Sequence, residues 1–377
     1  MLGELEVRPM VTTVVLHGEL DMVTVEALRS LLDDAVVNDP SRLVIDITDV
    51  PFVDVLSLST MALAQQPIII KFSHVVAENT PKGKGALKFK ELAEERTKGR
   101  VKVEVYPNSQ LFKDGEEMQM LQLGNVQILA PSVSKFGPLG VREFEVFDLP
   151  FIFDNEKDLH NVTQGRIGKE LFKKLESKGI VGLAYWDNGF KQMSANKPLR
   201  TPADFRGLKF RIQSSKVLDG QMRALGATPQ VMAFSEVYQA LQTGVVDGQE
   251  NTWSNIYTQK FNEVQKYITV SDHGVIEYAV IVNKKFWDGL PADIRTILDG
   301  AMKDATNYAN DIAKKENDDA LAKIKATGKT QIITLTPEEK KAWKKAELKV
   351  HRDNEGTIGK ALIEEIYKDT GFDPSKL

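Results

Sequence analysis

Apolar and polar positions alternate along residues 207–213 (GLKFRIQ): Leu208, Phe210 and Ile212 fall on one side, Lys209, Arg211 and Gln213 on the other. A period of two predicts a strand with one buried face. Residues 68–72 read as a buried strand and 101–105 as an alternating one, with further strands at 180–185 and 230–233. Between them the apolar spacing turns helical. Residues 82–97 close at Gly99, 167–177 stop at Gly179, and 217–225 stop at Gly226. Residues 235–242 close at Gly244, with Val245 and Val246 expected as a short strand. This alternation predicts parallel sheets with covering helices. The texture changes late in the chain: 291–327 is one long helical pattern, and further helices are expected from Pro337 and Gly356.

The first 54 residues follow another order: a strand at 11–16, a turn at Gly18–Asp21, an amphipathic helix at 23–35 and a buried strand at 43–47. This order resembles the first half of a STAS domain of the anti-sigma-factor antagonist type. In that family the second strand leads into an Asp-Ser-Ser-Gly-Leu turn. Asp54 matches the aspartate, then Val55-Leu56-Ser57 departs, and neither Ser57 nor Ser59 stands where the family serine would be. Residues 55–64 (VLSLSTMALA) then end in an A-x-A pattern followed by Gln65 and Gln66, the form of a secretory cleavage site. The acidic stretch before them lacks the basic residues of a signal start. Residues 55–66 are therefore read as a signal-peptide remnant and linker, joined to a truncated STAS-like segment at 1–54.

Composition narrows the classes. The 377-residue chain carries a net charge of −4, which offers no basic surface for nucleic acid. It has no cysteine, so disulfides and thiolate chemistry are excluded. No run of about 18 apolar residues appears. Its five histidines, His17, His74, His160, His273 and His351, show no metal-ligand spacing, and no GxSxG, Walker or GxGxxG pattern occurs. An enzyme is not expected, and neither a metal nor a cofactor is implied. Asp247 and Glu250 read as a tight turn and a helix-start or hinge residue rather than paired acids.

Arg211 has two readings by itself: an ordinary strand cation, solvated or ion-paired, or a planar fork of donors held for a carboxylate. Its neighbours separate them. The stretches GLKFRIQSSKV and LGATPQVMAFSEVYQALQTGVVDGQEN resemble the solute-binding subunit of TRAP transporters, of the DctP type that takes four-carbon dicarboxylates, and the resemblance covers about residues 66–377. It implies that Arg211 forms a salt bridge with a ligand carboxylate, that Asn251 hydrogen-bonds the same group, and that Lys191 is a second basic residue after the Asn-Gly-Phe turn. A dianion in a closed cleft needs more than one cation. Candidates for the far carboxylate are Lys191, Lys82 and the donors at Asn79 and Thr80. His74 and Ser132 are further candidates, while Phe234 and Trp186 line the carbon chain or belong to the core.

The resemblance implies a two-lobed periplasmic binding protein-like α/β fold with a long lobe-spanning helix, preceded by the partial STAS-like segment. Expected boundaries are 67–188 with 277–316 for one lobe, and 189–276 with 317–377 for the other lobe and helical tail. The expected partners are a small dicarboxylate and the TRAP membrane subunits, with the chain itself a monomer. The body belongs in the periplasm, whereas the remnant at 55–66 is not a complete export signal. The other class of function is a ligand-sensing or STAS-type interaction module in signalling.

Overall fold

The computed structural model describes residues 3–8, 11–16, 27–28, 30–32, 43–47, 50 and 67–376. His17, the turn at 18–21, Asp54, Ser57, Ser59 and the cleavage-site pattern at 55–66 lie outside the described residues. Fourteen strands occur among those described. They are β1 (Gly3–Arg8), β2 (Val11–Leu16), β3 (Leu43–Asp46), β4 (Ile68–Ser73), β5 (Val101–Tyr106), β6 (Ile128–Leu129), β7 (Ile180–Phe190) and β8 (Gln192–Ala195). The chain continues with β9 (Lys209–Ile212), β10 (Thr228–Val231), β11 (Gly248–Asn251), β12 (Tyr267–Val270), β13 (Val275–Asn283) and β14 (Gln331–Thr334).

The described residues form two compact units, 1–70 with 90–104, and 71–89 with 105–377. In the first, β1 and β2 pair antiparallel and β2 pairs parallel with β3. A parallel pair needs a crossover, and residues 27–28 and 30–32 between β2 and β3 are helical, with Leu28 and Leu32 buried against Val14 and Leu16. This is the order expected for residues 11–47.

Two larger sheets follow, with strand orders β5-β4-β6-β13-β7 and β10-β9-β11-β8-β12-β14. Both are mixed, which corrects the expectation of parallel sheets: β13 runs antiparallel to β6 and β7, and β8 antiparallel to β11 and β12. The cause is how the chain changes sheet. β7 passes into β8 across the single residue Lys191, and β12 passes into β13 across residues 271–274. Neither step has room for the helix that a parallel return requires.

Most helical expectations hold within a residue or two. Helices occupy Pro81–Arg96, Arg166–Leu175, Lys216–Leu225, Val237–Thr243 and Pro337–Asp353. Two expectations fail. Val245 and Val246 form a bend, with Val245 exposed, and the strand comes later as β11. From Glu355 the backbone makes one wide π turn before the last helix, Lys360–Thr370. The DGQEN motif is thus a strand, and its glycine has a packing reason: a Cβ on Gly248 would lie 2.4 Å from the Ser194 carbonyl and 2.6 Å from the Phe210 ring.

The long helix Ala292–Thr327 has 36 residues and so reaches about 54 Å. Its buried face is built of small side chains, Ala301, Ala305, Ala309 and Ala313, which allow close approach to β7. Trp186 of β7 is fully buried there, against Phe72, and donates its indole N–H to Thr306 at 2.8 Å. Further along the helix, Asn317 donates to the Asn188 carbonyl of β7 at 2.7 Å and accepts from Ser254 N at 2.9 Å. Ser254 belongs to the helix Trp253–Thr258 that follows β11. One helical side chain thereby bonds elements of both sheets. Trp186→Ala is expected to cost about 3–5 kcal/mol by opening a cavity and stranding Thr306; urea or guanidinium unfolding measures it.

Candidate ligand-binding site

Arg211 occupies the middle of β9, hydrogen-bonded between β10 and β11, and is only 3% exposed. Lys209 at the start of this strand is exposed, while Phe210, Arg211 and Ile212 are all buried. Arg211 Nε and Nη2 both donate to the Met232 carbonyl, at 3.0 and 2.9 Å, which fixes the plane of the guanidinium and leaves Nη1 free of that contact. Its Cζ stands 5.7 Å from the centre of the Phe234 ring. Burial pulls the guanidinium below its usual range, opposed by Asp114 and Glu250.

Arg211, Phe234, Asn251 and Ser132 line one small cavity of about 20 Å³, together with Asp114, Lys135, Asn255 and Tyr278. That volume holds little more than one water. Arg211, Phe234, Asn251 and Asn255 come from the six-stranded side. Asp114 and Lys135 come from segments after β5 and β6, and Tyr278 from β13, on the five-stranded side.

Asp114 joins the two walls. Its Oδ2 accepts the Phe234 backbone N–H at 2.6 Å and lies 3.9 Å from Arg211 Nη2, while its Oδ1 receives Lys135. Lys135 also reaches Glu117 at 2.8 Å. Burial pushes the Asp114 carboxyl up, but Lys135 and Arg211 outweigh it and hold the group below its usual value. For Lys135, burial works against the charge and the two carboxylates prevail, raising its proton affinity.

The remaining wall offers neutral donors. Tyr278 OH accepts N–H bonds from Asn188 at 2.9 Å and Asn255 at 3.3 Å, so its own proton is available to donate. Asn251 Oδ1 is taken by Asn255 Nδ2 at 2.8 Å and by Thr252 N, so the amide N–H₂ is what Asn251 can present to an anion. Ser132 caps the short turn Val133–Lys135 that positions Lys135, accepting from Ser134 N at 3.4 Å.

Other expected ligand residues stand elsewhere. Lys191 does not line the cavity: its ammonium is buried on Glu250 at 2.9 Å, and Glu250 also takes His273 Nε2 at 2.7 Å. Burial would raise the Glu250 carboxyl, yet Lys191 and His273 bring it down to about 2. Of the two readings of Glu250, helix start or hinge, the first is corrected: it lies in β11 as the anion of a buried cluster where the chain crosses between sheets. Thr80 is spent as a helix cap, accepting from Gly83 N at 3.2 Å and donating to Ala77 O, while Asn79 is exposed. His74 is buried edge-on to Phe72, with its pKa lowered to about 3 by burial and by Lys82, so it is neutral. Trp186 is core. Lys82 lies behind Tyr278, its Nζ 3.6 Å from the ring centre and donating to the Ala130 carbonyl at 2.8 Å.

Asp114, Lys135, Tyr278 and Asn255 escaped the sequence reading. Lys135 had a signal, three residues beyond Ser132 on the same loop; Asp114 was masked by Asp-Gly, which reads as a turn. Among the described residues no group of three or more His, Asp or Glu is arranged to hold a metal ion, and no helix is long and apolar enough to cross a membrane.

A fold of two mixed sheets facing each other across a cation-lined cavity defines a solute-binding protein. The chain belongs to the bacterial extracellular solute-binding proteins of family 7, DctP, whose sequence model matches residues 72–356. A STAS domain model matches residues 4–75. The C4-dicarboxylate-binding periplasmic protein DctP of Rhodobacter capsulatus is 65% identical over 315 residues, spanning 84% of this chain and 94% of that protein. A TRAP periplasmic solute binding protein from Shewanella oneidensis, solved with bound succinate, is similar with a TM-score of 0.79 and 47% identity, covering 81% of this chain and 99% of that one. Another from Pseudomonas aeruginosa, with bound L-malate, gives 0.74 and 46%, covering 76% and 100%. The expectations of a DctP-type body and of a STAS-like start are both borne out.

The Glu250 cluster generates a pH prediction. A carboxyl whose folded pKa is depressed adds stability that is present above its unfolded pKa and lost as pH falls through the folded value. Acid unfolding should therefore draw on Glu250 between about pH 4.5 and pH 2. Glu250→Gln is expected to lower stability at pH 7 by about 3 kcal/mol, since Lys191 stays buried without its anion, and to flatten that acid limb. Thermal melts across the pH range compare the two proteins.

Proposed function

We propose that this chain captures a four-carbon dicarboxylate, succinate, malate or fumarate, and hands it to the membrane subunits of a TRAP-type transporter. The observation that carries the reading is the pair of buried cations, Arg211 and Lys135, reaching one cavity from opposite sheets. Two carboxylates joined by a short carbon chain match two cations on facing walls, and Phe234 supplies an apolar side for that chain. The relatives solved with succinate and L-malate support the same choice.

An eight-heavy-atom diacid cannot enter a 20 Å³ space, so the walls must part for loading and close afterwards. The proposed lobes are 67–188 with 277–316, and 189–276 with 317–377. The hinge runs through Lys191 and residues 271–274, with Asn317 of the long helix as its third support. In the closed form Arg211, Asn251 and Phe234 meet the ligand from the second lobe and Lys135, Ser132 and Tyr278 from the first, with Lys82 behind Tyr278. The membrane subunits would read the closed surface. The relatives are periplasmic proteins by name, and capture is placed in that compartment. The STAS match at 4–75 favours a second reading for that segment alone, a protein-interaction module, which a pull-down with residues 4–75 as bait would test.

Titration calorimetry of the full chain with succinate, malate and fumarate tests the main reading; no binding to any of the three would remove it. Arg211→Lys keeps the charge and loses the fork, and is expected to weaken binding by about 1.5–3 kcal/mol. Unchanged affinity in that variant would take Arg211 out of the site.

A further inference from the structure

We infer that dicarboxylate capture draws one proton from solvent into the site, and that Lys82 carries it; this rests on the capture reading above. Lys82 is 1% exposed, and its nitrogen touches only a neutral carbonyl, that of Ala130, and the face of Tyr278. Among the described residues it forms no ion pair, because the two nearby carboxylates, Asp114 and Glu117, are both turned onto Lys135. A buried ammonium with no anion pays a large desolvation cost, whereas a neutral amine can make the same N–H bond to Ala130. Burial first, then the charge of Lys135, accordingly pull the Lys82 ammonium well below the usual lysine range.

The groups around Lys82 leave few other carriers. His74 after β4 is neutral, with its pKa lowered to about 3. Tyr278 on β13 is raised by burial and stays a phenol. Lys135 keeps its proton and Asp114 stays ionised. Arg211, beyond Asp114, is always charged. Glu117 is pushed up by burial and is the competing carrier.

With Lys82 neutral, Arg211 and Lys135 stand against Asp114 and Glu117, so a dianion leaves the site short of positive charge. A ligand carboxylate at the Tyr278 edge of the cavity places an anion next to Lys82. An opposite charge within about 4–6 Å favours the protonated form. The N–H bond to Ala130 persists and the amine lone pair takes a solvent proton, which offsets one of the two charges the ligand brings.

Calorimetry with succinate near pH 8, where both its carboxylates are ionised, in buffers of differing ionisation enthalpy, counts the protons. The wild-type chain is expected to take up about one proton per succinate, and Lys82→Arg, already charged, to bind with uptake near zero. Binding without uptake in the wild type would overturn the inference and leave the capture reading standing. Uptake of one proton persisting in Lys82→Arg would assign it to another group and overturn the inference as well. Should Lys82→Arg not fold, Glu117→Gln decides: retained uptake supports Lys82, lost uptake overturns it. Absence of binding to all three diacids would remove the reading and the inference together.

Discussion

A guanidinium in the interior of a sheet must have its donors met, and the second sheet's architecture follows from that demand. Arg211 gives two N–H groups to the Met232 carbonyl, which requires the chain after β10 to turn back over the strand end. The same turn delivers the Phe234 backbone N–H to Asp114, a residue of the opposite wall. The arginine is therefore held on one edge by its own sheet and open on the other. The protein's own carboxylate, Asp114, stands 3.9 Å from Nη2.

The second organising element is electrostatic but takes no part in lining the cavity. Lys191, Glu250 and His273 share charge and protons where the chain leaves one sheet for the other. Lys191 N also donates to the Gly274 carbonyl at 2.8 Å, tying the two crossings together. A Cβ at Gly274 would lie 2.9 Å from Lys191 Cε, so the glycine leaves room for the end of the lysine side chain. Removing two charges from water costs several kcal/mol for each ion, and good geometry plus full hydrogen bonding offsets it. Such a cluster holds the crossing in one geometry, and its ionised carboxyl is favoured in the folded chain.

Sequence patterns carried the helices and the strand at Arg211 because those depend on local period and glycine stops. They failed on strand direction, which depends on how many residues connect β7 to β8 and β12 to β13; one and four residues leave no visible mark in a periodicity. Motif resemblance pointed to Arg211 and Asn251, the need for an apolar wall to Phe234, and a loop after a strand to Ser132, and all four line the cavity. The patterns set Lys191 among the ligand residues, whereas its ammonium sits on Glu250, because a lysine gives no sign of whether a buried glutamate 59 positions away will claim it. They missed Asp114 and Tyr278 because each looks ordinary alone, a turn aspartate and a strand tyrosine. Pairing across sheets brings them to the cavity, and that is a tertiary property.

The step from β7 to β8 through one residue has a mechanical side. β7 has eleven residues and so extends about 36 Å from Lys191. Rotating the backbone at that pivot by about 10° would sweep the far end of this rigid arm through about 6 Å. A torsional adjustment smaller than ordinary scatter within a strand would thus be geared into a displacement of a full side chain's length at Ile180, deep in the core.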